Sequence, residues 1–217
     1  MKFILVVVLT AYAFYNYAQQ AVLNTVKIKS SGEITEIKIE VRTTYDTFYL
    51  NIDGYGQVLS IEPINAGNNF TIDYYDRFAE PEIIGKISML NQTKISYFLR
   101  GGTPNEIVGK MMKIGNVKID YYYSDPDKTG RIYFVGNLVM NYYTRSNDAV
   151  TATKISKVGN INIEYFTSFS DIELQGFVKK IGDYEIEYFK QYDDTAKSRK
   201  IKKINGSDNR FKLIVEL

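Results

Sequence analysis

The chain has 217 residues, carries 27 Lys and Arg against 25 Asp and Glu, and contains no Cys, His or Trp. Disulfides, thiolate nucleophiles, zinc sites and imidazole general bases are thereby excluded, and a net charge of +2 argues against a general binder of polyanions such as nucleic acid. With 19 Tyr and 12 Phe against 4 Pro, the composition favours strands.

The chain opens MKFILVVVLTAYAFYNYAQQ. Lys2 forms a short positive region, Phe3 to Leu9 an apolar run, and small residues at Ala11, Ala13 and Ala18 follow. That order predicts a secretory signal peptide over 1–18, and the run is too short for a membrane-spanning helix. The expected address is therefore export, to the periplasm, the cell surface or the medium. Removing Lys2 with that segment lowers the net charge from +2 to +1. Residues 19–55 carry a weak copy of the pattern described next, at Gly32, and are expected to form an irregular β segment that caps the rest.

From residue 56 to 217 the sequence repeats. GQVLSI (56–61), GKISML (85–90), GKMMKI (109–114), GRIYFV (130–135), TKISKV (153–158), GFVKKI (176–181) and RKIKKI (199–204) begin at intervals of 29, 24, 21, 23, 23 and 23 residues. Each is followed by a second run: FTIDYY (70–75), TKISYF (93–98), VKIDYY (117–122), LVMNYY (138–143), INIEYF (161–166), YEIEYF (184–189) and FKLIVEL (211–217). Between the runs stands Gly-Asn at 115–116, 136–137 and 159–160, or Gly-Asp at 182–183. Gly at the first central position of a two-residue loop supplies the positive φ of a type II′ turn. Each unit of about 23 residues is therefore read as a β-hairpin.

The turn sets the register. Ile114 should face Val117, and Met112 should face Ile119. Val135, Leu138, Met140 and Tyr142, then Val158, Ile161, Ile163 and Tyr165, then Ile181, Tyr184, Ile186 and Tyr188 should share one apolar face. Ile155 and Val178 fall on the opposite face with Lys157, Glu164, Lys180 and Glu187. Lys110, Arg131 and Lys154 should lie across from Tyr121, Tyr142 and Tyr165, in reach of cation–π contact. The fold expected is all-β: an antiparallel meander of tandem hairpins forming a curled sheet, with a closed barrel as the alternative. The strands are too short for a membrane barrel.

Candidate chemistry is sparse. Asp125, Asp127 and Thr129, in DPDKTG, have the alternating oxygens of a calcium loop, the one metal the sequence suggests, but Gly136 stands where an EF-hand needs an acid. Glu164 and Glu187 occupy equivalent strand positions about 10 Å apart, near the separation of an inverting glycosidase pair. Lys180 between them and Lys157 and Lys203 beside them read instead as a charged ladder, and no catalytic residue is assigned. The basic run 197–203 reads as a charged edge near the end of the sheet, where lysines discourage edge-to-edge pairing. The variable connections 123–129, 144–152, 167–175 and 190–198 are where binding is expected.

The stretch YYYSDPDKTGRIYFVGN (121–137) resembles a YD (RHS-type) repeat: tyrosine, a short acidic turn, Gly-Arg, then a strand. The chain also resembles repeat-rich secreted bacterial proteins with no assigned activity. The resemblance carries across no catalytic residue or cofactor. It implies a shell, stalk or carbohydrate-contacting surface, hence a non-catalytic scaffold or binding module whose partner is a glycan or a protein surface. A purely structural, self-associating envelope protein is the alternative, and a secreted polysaccharide hydrolase the least favoured reading.

Overall fold

A computed structural model describes residues 20–64, 69–192 and 194–216; the expected signal peptide lies outside the described residues. The chain is all-β, with a single 3₁₀ turn at Asn105–Ile107 among the described residues. No described helix is long and apolar enough to cross a membrane.

Two sheets form. In the first, β1 (Ala21–Lys29), β2 (Ile34–Arg42), β3 (Thr47–Ile52) and β4 (Val58–Pro63) run antiparallel, and β17 (Lys212–Glu216) joins parallel to β1, in the order β17-β1-β2-β3-β4. Residues 21–52, expected to be irregular, thus supply three regular strands. Their alternation, as in ITEIKIEVR, has the period of a half-buried strand.

The second sheet has twelve strands in chain order. It starts with β5 (Ile72–Tyr74), β6 (Ile87–Leu90), β7 (Thr93–Tyr97), β8 (Met111–Ile114), β9 (Val117–Tyr121) and β10 (Ile132–Val135). It continues with β11 (Leu138–Tyr142), β12 (Ile155–Val158), β13 (Ile161–Tyr165), β14 (Val178–Ile181), β15 (Tyr184–Tyr188) and β16 (Ile201–Asn205). The pairs Ile114–Val117, Val135–Leu138, Val158–Ile161 and Ile181–Tyr184 fall in the register the turns predict. Gly115, Gly136, Gly159 and Gly182 have φ of 57, 56, 58 and 54°, and the residue after each has negative φ, as type II′ requires. In the β6–β7 turn Asn91 takes the role of Gly with φ of 52°.

The first and last repeat units are not hairpins. β4 pairs with β3 while β5 pairs with β6, so the segment between them changes sheet. Likewise β16 pairs with β15 while β17 returns to β1. Hydrophobic burial explains both departures. The meander's continuous apolar face needs a cover, and the five-stranded sheet supplies it from both chain ends. One core results, with Ile37, Ile39, Phe48 and Leu50 from the small sheet and Ile119, Ile132, Val158 and Ile163 from the large one fully buried or nearly so. Closure into a barrel is unnecessary, and the sheets are not closed.

Each first strand of the meander contains a β-bulge, which shifts the expected faces. Tyr142 pairs with Ile155 and Asn141 with Lys157, so Ser156 is the extra residue. The bulge turns Ile155 and Val178 into the core at 0% exposure, opposite to the face that strict alternation assigns. For the same reason Met111, not Met112, is the buried methionine of β8.

The small sheet crosses the meander diagonally and is hydrogen-bonded to it at both ends. At one end its β1–β2 and β3–β4 turns present carbonyls to the first residue of four meander strands. Ile132 and Ile155 donate to Gly56 and Gly54, at 3.2 and 3.1 Å, and Val178 and Ile201 to Gly32 and Ser30, at 3.0 and 2.8 Å. At the other end the meander's turn side chains reach the small sheet. Asn137 accepts from the Ala21 N–H at 2.9 Å, Asn116 from the Thr44 N–H at 3.1 Å, and Thr93 donates to Asp46 at 3.0 Å.

Candidate functional site

The meander's long connections line the edge opposite the Gly-Asn turns, and each is closed at its neck by the same hydrogen bond. Gly85, Gly109, Gly130, Thr153, Gly176 and Arg199 donate their N–H groups to the carbonyls of Tyr75, Phe98, Tyr122, Tyr143, Phe166 and Phe189 at 2.7–2.9 Å. All six neck residues have positive φ. Thr153 and Arg199 thus hold a conformation that ordinarily favours glycine.

Inside the connections an aspartate recurs at 23-residue steps: Asp125, Asp148, Asp171 and Asp194. Each carboxylate accepts the N–H two residues on, from Asp127, Val150, Glu173 and Ala196 at 3.0–3.3 Å. This is an Asx turn, and it fixes the loop locally. The carboxylates are then paired: Asp125 with Lys128, Asp171 with Lys190 and Asp194 with Lys197, each at 3.0 Å. Those lysines are the main reason all three acids are held below their ordinary pKa. Asp148 is held lower still, at about 2, chiefly by the Ser168 hydroxyl and N–H and then by the N–H groups of Thr151 and Val150.

The three residues expected to bind calcium are engaged elsewhere. Asp125 faces Lys128, the Thr129 hydroxyl donates to the Asp125 carbonyl at 2.7 Å, and Asp127 pairs with Arg145 at 3.3 Å while accepting its N–H at 2.7 Å. No described group of three or more acidic residues is placed to hold a metal ion. The Asp-Pro-Asp segment serves a turn that recurs in each later unit. Its 23-residue period, seen across Asp125, Asp148, Asp171 and Asp194, was the signal in the sequence that pointed to structure.

Glu164 faces Lys180 and Glu187 faces Lys203 across neighbouring strands. Glu187 also accepts from the Asn205 amide at 2.6 Å, and Lys180 pairs with Glu185 at 3.5 Å. Both glutamates are exposed, so the row is the charged ladder anticipated above, and it lacks the desolvated acid that glycoside hydrolysis uses. The cation–π pairs are present: Lys110, Arg131 and Lys154 stand 5.4, 5.9 and 5.1 Å from the ring centres of Tyr121, Tyr142 and Tyr165. Burial raises the pKa of all three phenols, so these tyrosines are packing elements.

What the connections offer to solvent is different in kind. Phe169 is 95% exposed, Ile172 82% and Tyr192 78%. A groove of about 580 Å³ lies at the last hairpins, lined by Phe166, Asp171, Glu187, Tyr188, Lys190 and Tyr192 among others. Successive connections are tied together: the N–H groups of Arg145, Ser168 and Gln191 donate to the carboxylates of Asp127, Asp148 and Glu173 at 2.7, 2.9 and 2.9 Å. The loops expected to bind are thus a rigid row with apolar tips and a polar, aromatic-lined groove. No protein-family model, curated protein or solved structure matches the chain.

Proposed function

We propose that the protein is an exported, non-catalytic β-repeat scaffold that binds a glycan through its 167–175 and 190–192 connections. What carries the reading is the groove itself: aromatic rings of Phe166 and Tyr192 beside the paired charges of Asp171 and Lys190, on a framework braced loop to loop. Sugars are recognised by just such a combination, with ring faces stacking on aromatics and fixed polar groups meeting hydroxyls. Rigid loops reduce the ordering cost of binding. The likeness to YD repeats supports the same role, and the leader-like residues 1–18 support export.

The test is glycan-array binding by the mature chain, compared with Tyr192→Ala and with Phe166→Ala. Loss of about tenfold or more in affinity for a bound glycan in Tyr192→Ala, with thermal stability unchanged, is the expected result. Retention of full glycan binding by both variants overturns the groove assignment. Absence of any glycan signal, with a protein recovered by cross-linking at residue 192, assigns the groove to a protein surface instead.

A further inference from the structure

Among the described residues no further strand pairs with either end of the twelve-stranded sheet, and each end lacks what the other has. In the repeat, a first strand pairs with a second strand through the Gly-Asn turn. β16 is a first strand whose second strand is missing, because the chain leaves it for β17 in the other sheet. β5 is a second strand whose first strand is missing, because β4 lies in the other sheet. By the alternation of the meander, β16 of one molecule and β5 of another are antiparallel, and their repeat phase matches.

The side chains carry the same asymmetry. In four units the cation opening the first strand lies over the tyrosine ending the second: Lys86 over Tyr97, Lys110 over Tyr121, Arg131 over Tyr142 and Lys154 over Tyr165, at 5.1–5.9 Å. The tyrosine hydroxyl donates to the first strand, as from Tyr97 to Ile87, Tyr142 to Ile132 and Tyr188 to Val178, at 3.0, 2.7 and 2.6 Å. Lys200 is the equivalent cation of β16 and has no tyrosine. Tyr74 is the equivalent tyrosine of β5 and has no cation. Tyr121, Tyr142, Tyr165 and Tyr188 are 3–6% exposed, whereas Tyr74 is 58% exposed. Lys200 is exposed too, and no described side chain pairs with its ammonium group.

Charge distinguishes the two ends. In the sequence, around β5 lie Asp73, Asp76, Glu80 and Glu82 with a single Arg77, and around β16 lie Lys197, Arg199, Lys200, Lys202 and Lys203 with Asp193 and Asp194. Pairing like ends sets like charges against each other, whereas pairing unlike ends complements them. Among the described residues no strand of its own chain pairs with the free side of β16. After Asn205 the backbone turns back toward the previous hairpin, where Asp208 accepts the Asp183 N–H at 3.2 Å and Phe211 packs on Tyr184 at 5.6 Å.

We propose that copies of this chain associate head to tail, the β16 edge of one pairing with the β5 edge of the next. In that pair Lys203 stands opposite Thr71 of the second copy, as Lys180 stands opposite Glu185 within the chain. Lys200 covers the ring of Tyr74 of that copy. The interface is heterologous, so it propagates into a filament unless the rotation closes a ring. It uses strand edges rather than the groove of the last hairpins, and either proposal stands if the other fails.

The chain has no cysteine, which makes a disulfide test clean. Thr71→Cys and Lys203→Cys place thiols on the closely spaced type of cross-strand pair, a geometry a disulfide accepts. Oxidising a mixture of the two single variants is expected to give a covalent dimer, each variant alone stays largely monomeric, and the doubly substituted chain gives a ladder. Light scattering of the unsubstituted chain is expected to show mass rising with concentration and falling with added salt. Tyr74→Ala and Lys200→Ala each weaken the association about fivefold. Both side chains are exposed, so folding is retained. A mixture that cross-links no more than the single variants, with an unsubstituted chain monomeric at every concentration, overturns the proposal. So does cross-linking of either single variant with itself as readily as with the other.

Discussion

The Tyr188 hydroxyl, donating to the Val178 carbonyl, occupies the space where a Cβ on Gly32 would stand, and the Gly32 carbonyl in turn accepts the Val178 N–H at 3.0 Å. Gly32 has φ of +77°. Its lack of a side chain and its left-handed backbone together let the β1–β2 turn dock on the meander. Gly56 repeats the arrangement over Tyr142, at φ of +77°.

Substituting Gly32 with Ala should therefore be far more costly than the same change at Gly85. Gly85 has a similar φ of +73°, but a Cβ there meets nothing within 4 Å. The backbone strain alone is worth about 1–2 kcal/mol, and this is the loss expected for Gly85→Ala. Gly32→Ala adds a collision with a buried, hydrogen-bonded ring, for a total of about 3 kcal/mol or more. Denaturant melts of the two variants check the difference, and equal losses would show that the turn does not dock as described.

The neck of the fourth connection offers a gain. Thr153 is β-branched and sits at φ of +72°, where neighbouring units have Gly130 and Gly176 at +74° and +80°. Thr153→Gly relieves strain of about 1–2 kcal/mol and gives back part of it through the greater freedom of glycine in the unfolded chain. A net stabilisation of about 0.5–1 kcal/mol is expected, and Gly130→Thr should destabilise by a similar or larger amount. Thermal midpoints of the two variants should move in opposite directions.

The asparagines of the turns should not be equivalent. Asn116 and Asn137 accept hydrogen bonds from the N–H groups of Thr44 and Ala21 in the other sheet. Asn160 occupies the same turn position with no such partner described. Asn137→Ala leaves the N–H of buried Ala21 unmet and should cost about 1–2 kcal/mol. Asn116→Ala frees an exposed N–H that water can meet and should cost about 0.5–1 kcal/mol, and Asn160→Ala a few tenths at most. Urea denaturation of the three variants would separate them.

The turns, the hairpin registers and the Lys–Tyr pairs were legible in the sequence because each is local. Gly-Asn between two β-rich runs leaves a short chain few choices, and Ile181 opposite Tyr184 follows from loop length alone. The bulge at Ser156 was not legible, because strict alternation places Ile155 outside and only the covering sheet rewards turning it inward. The destination of β4 and β17 was hidden for a related reason. GQVLSI and FKLIVEL keep the repeat's spelling, yet the burial of the meander's apolar face draws them into the opposite sheet. For the site, exposed Phe169 and Tyr192 fall in the connections singled out in advance. The mutual bracing of those connections needed coordinates, since it joins residues 18–20 apart through carboxylates that look like ordinary turn formers.

Acid should loosen the fold through two buried or hydrogen-bonded aspartates. Asp148 binds Ser168 and the N–H groups of Val150 and Thr151, and Asp208 binds Arg210 and the Asp183 N–H. These contacts hold both carboxyls at about 2, with Ser168 the main cause for Asp148 and Arg210 for Asp208. The unfolded chain binds its proton near the ordinary carboxylate value of about 4. Between those limits the unfolded state holds more protons than the folded one, so stability falls as pH drops. The contribution is complete above about pH 4 and is lost progressively as pH falls toward 2. Asp148→Asn and Asp208→Asn remove the titrating groups and should each be less stable than the unsubstituted chain at neutral pH. Their melting temperatures should then converge with that of the unsubstituted chain as pH is lowered through this window. A gap between the curves that stays constant from neutral pH to pH 2 would show that neither aspartate is held in its charged form by the contacts described.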